Sequence, residues 1–85
     1  MREFRFHQAN LQKHNVTPEE AYECFLDPAG FKQRSSEGSY ILIAKTAEED
    51  ILHLAFRIEP DKSIYVFHGR PASTKERRRY KDKGK

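Results

Sequence analysis

From Tyr40 to His68 the chain alternates apolar runs with polar turns, the spacing an antiparallel sheet requires. Tyr40-Ile41-Leu42-Ile43-Ala44 is apolar throughout and predicts a strand buried on both faces, and Thr46 to Asp50 predicts a polar turn. In Ile51 to Ile58, Leu52, Leu54, Phe56 and Ile58 alternate with Ile51, His53, Ala55 and Arg57, giving one core face and one partly polar face. Pro60-Asp61-Lys62 turns the chain into a third strand, Ile64 to His68. A loop over residues 59–63 pairs Ile58 with Ile64, Phe56 with Val66 and Leu54 with His68, and sets Arg57 opposite Tyr65 and Ala55 opposite Phe67. A loop one residue shorter pairs Phe56 with Tyr65 and Leu54 with Phe67 instead.

Before this sheet, Glu3-Phe4-Arg5-Phe6 alternates briefly and predicts a strand or extended arm. Asn10 to His14 predicts a short helix, closed by Asn15, which tolerates left-handed backbone geometry. Thr17-Pro18-Glu19-Glu20 supplies an N-cap hydroxyl, a proline at the first helical position and a glutamate at the third, so a helix is expected over residues 18–26. Its inward stripe is Ala21, Tyr22, Cys24, Phe25 and Leu26, and Asp27-Pro28-Ala29-Gly30 ends it. Residues 31–39 read as a polar loop. After Gly69-Arg70-Pro71, a last helix starting at Ala72 or Ser73 puts Ala72, Glu76 and Tyr80 on one face. The fold class is α+β: an N-terminal strand and two helices, a three-stranded antiparallel sheet and a basic C-terminal helix, in one domain over residues 1–85 with 81–85 frayed.

Charge changes this picture. The last sixteen residues, Arg70 to Lys85, hold eight of the chain's sixteen Lys and Arg and two acids, a net of +6 against −3 for the rest. A polyanion fits such an end. Lys75, Arg77, Arg78, Arg79 and Lys81 are therefore candidate nucleic-acid contacts, weighed against the plain reading of a solvated helix face. The apolar run from Tyr40 to Ala44 is far short of the roughly 20 residues a membrane span needs, so no membrane is expected. The N-terminus does not read as a signal peptide, and the one cysteine, Cys24, has no partner in the chain, which together point to the cytoplasm. The four histidines and Cys24 show no zinc-site spacing, and no glycine-rich phosphate loop is present, so neither metal nor cofactor is expected.

Asn10-x-x-Lys13-His14-Asn15-Val16, Glu19-Glu20-Ala21, Phe25 with Asp27-Pro28, and Arg70-x-Ala72-x-x-x-Glu76-x-x-x-Tyr80 resemble the BrnT family of toxins over nearly the whole chain. The resemblance implies a RelE-like ribonuclease of a bacterial type II toxin–antitoxin system, cleaving mRNA without metal and neutralised by a BrnA-like antitoxin. Where the family's last strand runs Arg-Ile-Ile-Ser-Ala-Arg, this chain has Tyr65-Val66-Phe67-His68-Gly69-Arg70. Asn15 stands in place of a glycine, and Arg57 matches the preceding strand's arginine only loosely. Homodimer and hetero-oligomer with the antitoxin are both open.

The chemistry can be argued from the residues. Metal-free RNA cleavage needs a base for the ribose 2′-OH, an acid for the leaving 5′-oxygen and fixed cations for charge growing on phosphorus. His68 is the first candidate acid or base, Arg70 and Arg57 are phosphate clamps, and Glu76 or Tyr80 assists. Against this stand plainer roles: an Arg70–Glu76 ion pair and a packed Tyr80 ring anchoring the helix, and His68 as a strand-end residue. His14 reads as a helix C-terminal residue and His53 as a polar-face residue. Tyr65 and Phe67, if exposed, can stack on bases. A non-catalytic RNA- or DNA-binding module and a structural interaction protein remain as alternatives to the nuclease.

Overall fold

The computed structural model describes residues 3–35 and 38–83. The elements are β1 (Phe4–Phe6), α1 (Gln8–Gln12), α2 (Pro18–Phe25), β2 (Phe31–Arg34), β3 (Ser39–Lys45), β4 (Ile51–Ile58), β5 (Ile64–Pro71) and α3 (Thr74–Lys83). They build one five-stranded mixed sheet in the order β1-β5-β4-β3-β2, with β1 parallel to β5 and the other pairs antiparallel. The expected three strands are its centre; two edges complete it. Among the described residues no helix is long and apolar enough to cross a membrane.

The helix signals act as local chemistry requires. Asn15 has φ of +58°, and the Asn15 and Val16 amides donate to the Gln12 and Leu11 carbonyls, a Schellman closure that also brings Val16 against Leu11. α1 lies at residues 8–12 rather than 10–14, because the His7 ring accepts from the Asn10 amide and starts the helix earlier. Thr17 and Glu20 form the reciprocal capping box of α2, Thr17 Oγ1 accepting from Glu20 N and Glu20 Oε1 from Thr17 N. Ala21 and Cys24 are buried on α2, whereas Tyr22 and Leu26 of the expected inward stripe are 44% and 64% exposed. At 100° per residue five positions in six cannot all face inward.

Residues 31–34, expected as loop, form the edge strand β2 on β3, with Phe31 opposite Ile43. Only Phe31 of β2 is buried, and an edge strand of Lys32, Gln33 and Arg34 carries no apolar alternation. Of the rest of that expected loop, Ser39 opens β3, and residues 36 and 37 lie outside the described residues. α3 runs through Lys83, so residues 81–83 are helical, and 84 and 85 lie outside the described residues.

One sheet face, carrying Leu42, Leu54, Phe56 and Val66, packs on α1 and α2 through Leu11 and Cys24. The opposite face is covered in part by α3, where Tyr80 packs on Phe31 and Ile43. This explains why β3 is apolar at successive positions: Leu42 and Ala44 serve one face, Ile43 the other.

The β4–β5 register follows the longer-loop pairing up to Phe56–Val66 and then departs from it. A bulge between Ala55 and Phe56 leaves Phe67 without a partner and pairs Ala55 with His68, Leu54 with Gly69 and His53 with Arg70. The expected pairs Leu54–His68 and Ala55–Phe67 are thus replaced. Because side chains alternate, one extra residue transfers His68 and Arg70 to the face of His53 and gives the core position to Gly69. A Cβ at Gly69 would lie 2.7 Å from Leu11 Cδ2, so the absence of a side chain is what lets α1 sit on β5.

Candidate active site

The bulge assembles a polar cluster at the C-terminal end of β5. His53 on β4 and Arg70 on β5 are cross-strand partners, and Glu76 from the first turn of α3 reaches down to both. Ser73 and Glu76 form a second capping box, Ser73 Oγ accepting from Glu76 N and Glu76 Oε1 from Ser73 N. The same carboxylate takes Arg70 Nη1 at 3.1 Å on Oε1 and Arg70 Nη2 at 3.3 Å on Oε2, and lies 2.7 Å from His53 Nδ1. Partial burial opposes its ionisation, but Ser73 N–H, His53 and Arg70 outweigh that and push the Glu76 carboxyl down to about 2.

An ionised Glu76 fixes the His53 tautomer. A carboxylate only accepts, so Nδ1 carries the proton and donates to Oε2; the 3.2 Å approach of Arg70 Nη2 to Nδ1 is then a contact and not a second hydrogen bond. Arg70 Nη1 also donates to the Pro71 carbonyl at 3.0 Å, so much of its guanidinium is engaged in holding the strand end to α3.

His68 stands between two other imidazoles. Its ring centroid is 5.7 Å from that of His14 and 6.3 Å from that of His53. His14 comes from the end of α1, which is tied to β5 by Asn10 Nδ2 donating to the Phe67 carbonyl at 2.9 Å. Burial, together with His14, His53, Arg70 and Lys13, pulls the His68 pKa below the ordinary histidine value, so its neutral form is favoured. Exposure grades outward: the His53 side chain is 12% exposed, His68 is half-buried, and Lys13 and His14 are exposed. The cluster sets Lys13, Arg70 and three imidazoles beside one engaged acid, a set of donors whose chemistry suits an anion such as phosphate. Among the described residues no three His, Cys, Asp or Glu are placed to hold a metal ion.

Of the residues singled out from the sequence, His68, Arg70 and Glu76 converge here, and the Arg70–Glu76 ion pair is present. Tyr80 does not join them. It is buried, its hydroxyl donates to Asp27 Oδ2 at 2.6 Å, and burial with that carboxylate raises its pKa. Arg57 shares the sheet face but lies four residues along β4 from His53, about 13 Å of strand, with its Nε on Glu59 at 3.2 Å. Lys75, Arg77, Arg78, Arg79 and Lys81 are all exposed on α3. They do not form one patch: Arg79 lies over the Phe31 ring at 5.3 Å, whereas Arg77 borders a cleft of about 330 Å³ that His14 also lines. His14 and His53 enter the cluster against their plainer readings. The signal for His14 was the Asn10-x-x-Lys13-His14 motif; for His53 it was its place on the polar side of an alternating strand.

No protein-family model and no curated protein matches the chain. Its fold is similar to that of the Brucella abortus ribonuclease toxin BrnT: the crystal structure of that protein superposes with a TM-score of 0.71 at 18% identity, over 87% of this chain and 100% of that one. The resemblance read from the motif residues and the likeness in three dimensions therefore point to the same fold.

Proposed function

We propose that the chain is the toxin of a type II toxin–antitoxin system and an endoribonuclease that cleaves mRNA without a metal ion, stopping translation. The observation carrying this reading is the convergence of Lys13, His14, His53 and Arg70 around His68, with Glu76 holding His53 and Arg70, in a fold similar to a ribonuclease toxin. Neutral His68 takes the proton of the ribose 2′-OH as the 2′-oxygen attacks phosphorus. The bond from phosphorus to the 5′-oxygen breaks, and His14, its ring centroid 5.7 Å from that of His68, serves as the acid that gives a proton to that oxygen. The products are a 2′,3′-cyclic phosphate and a 5′-hydroxyl. Lys13 and Arg70 stabilise the charge that grows on the phosphorus oxygens, while Glu76 positions Arg70 and His53. Arg57 and the α3 cations Lys75, Arg77, Arg78, Arg79 and Lys81 guide the RNA backbone, and Tyr80 holds α3 in place.

The partner in this reading is a BrnA-like antitoxin. The exposed apolar strip of Tyr22 on α2 and Leu26 at its C-cap, beside Glu19 and Glu23, suits contact with a basic amphipathic partner segment. RNA as substrate and the buried free thiol of Cys24 both suit the cytoplasm.

A second reading, a non-catalytic RNA-binding module, has one specific observation in its favour: Arg70 is already held by Glu76 and the Pro71 carbonyl. Tightly controlled expression in a bacterium separates the two. Growth arrest and fragmented mRNA with the native chain, and normal growth with equally soluble His68→Gln, support the nuclease. Normal growth with abundant soluble native protein supports the binding module.

A further inference from the structure

The sheet face that bears the histidine cluster is covered by α3 only in part. α3 covers β3 through Tyr80, but the stretch of β5 before the bulge carries Tyr65 and Phe67, both half-buried, with ring centroids 6.4 Å apart and planes tilted by 34°. The Arg57 guanidinium lies 4.8 Å over the Tyr65 ring, and Arg5 is the cross-strand partner of Tyr65 on its other side. A half-buried tyrosine flanked by two arginines holds cations near one another, which packing alone does not require. Both arginines have carboxylate neighbours, Arg5 with Glu3 and Arg57 with Glu59. What remains available is therefore the flat faces, aromatic and guanidinium, more than net positive charge.

These planes are in line with the cluster. From Tyr65 to Arg70 is five residues of one strand, about 16 Å, with His68 between. The bulge that places Phe67 without a strand partner is the same one that turns His68 to this face.

We infer that Tyr65, Phe67 and the guanidinium of Arg57 form a nucleobase-stacking platform that holds the bases of a single-stranded RNA next to the phosphate bound at His68. The inference rests on the ribonuclease reading for its ligand. Stacking on aromatic and guanidinium planes is tolerant of sequence, so the platform gives the chain affinity for unpaired nucleotides without strong base preference. Paired bases present no free faces, so a duplex does not use it.

The test is equilibrium binding of a fluorescein-labelled RNA octamer, 2′-O-methylated throughout so that no 2′-OH can attack, against an octamer of the same backbone lacking bases. The native chain binds the octamer with bases about tenfold or more tightly, and Tyr65→Leu with Phe67→Leu loses that preference while still binding both through the backbone. Tyr65→Trp keeps it, which controls for damage to the strand. Equal affinity of the native chain for the two octamers, no binding of either at low salt, or an unchanged preference in the double variant would each overturn the platform. A chain that discriminates but never cleaves keeps the platform and loses the nuclease; one that cleaves without discriminating does the reverse.

Discussion

The Tyr80 hydroxyl donates to Asp27 Oδ2 across 2.6 Å, joining residues 53 positions apart and fastening α3 to the segment that ends α2. Partial burial disfavours the Asp27 charge, but Tyr80 and the Lys45 and Ala29 amides outweigh it and hold its carboxyl below the ordinary value. Tyr80→Phe should therefore lower stability by about 1.5–3 kcal/mol, the range for a hydrogen bond to a charged group, measured by urea unfolding. RNA cleavage per folded molecule should stay unchanged. Loss of cleavage in a variant of native stability would make Tyr80 a participant in the chemistry.

Glu76 is the acid on which the cluster depends. Its folded-state pKa is depressed, so its contribution to stability is complete above the unfolded glutamate value of about 4.3 and is lost as pH falls toward about 2. Thermal melts across that window should show a steep acid limb in the native chain and a shallower one in Glu76→Gln, which should also be less stable at neutral pH. Parallel curves would mean that the three partners of Glu76 do not hold its charge.

Two glycines test the close approaches. A Cβ at Gly30 would lie 2.8 Å from Ala44 Cβ, which has no rotamer by which to move away, whereas a Cβ at Gly69 would meet the tips of Leu11 and Leu54 at 2.7 and 3.0 Å. Gly30→Ala should cost about 1–3 kcal/mol by overpacking, and Gly69→Ala less, in chemical denaturation. Gly69→Ala should in addition reduce cleavage, because it shifts the strand between His68 and Arg70.

His68 sets the pH dependence of activity. As a base it works when neutral, and its lowered pKa keeps it neutral to more acidic pH than a free histidine, whose value is about 6.5. Cleavage should fall as pH drops through a midpoint below that value. Replacing the neighbouring cation by Lys13→Met should move the midpoint upward. The same lowered pKa makes His68 destabilising under acid: protonation favours the unfolded chain as pH falls from about 6.5 through the folded-state value.

The central strands and the α2 cap were legible because their signals are local: alternation at Leu52 to Ile58, and Thr17 with Pro18 and Glu20. β2 was not, since an edge strand whose Lys32, Gln33 and Arg34 face solvent has nothing to alternate. The bulge at Phe67 was equally silent. It arises where Gly69 must pass under Leu11, a contact between residues 58 positions apart that no window along the chain contains. Missing it put His68 on the core face beside Leu54 and hid its meeting with His14 and His53. The Arg70–Glu76 ion pair was legible as opposite charges across a strand–helix junction, but their joint contact with His53 follows only from the shifted register.

The most direct measurement is cleavage of a 5′-labelled single-stranded RNA by the purified chain in excess chelator, with His68→Gln run beside it. Metal-free cleavage with His68 as base leaves fragments ending in 2′,3′-cyclic phosphate and a rate at least about a hundredfold lower in the variant, as for a lost general base. Intact RNA at every pH with the folded native chain, or equal rates in the two proteins, would contradict it.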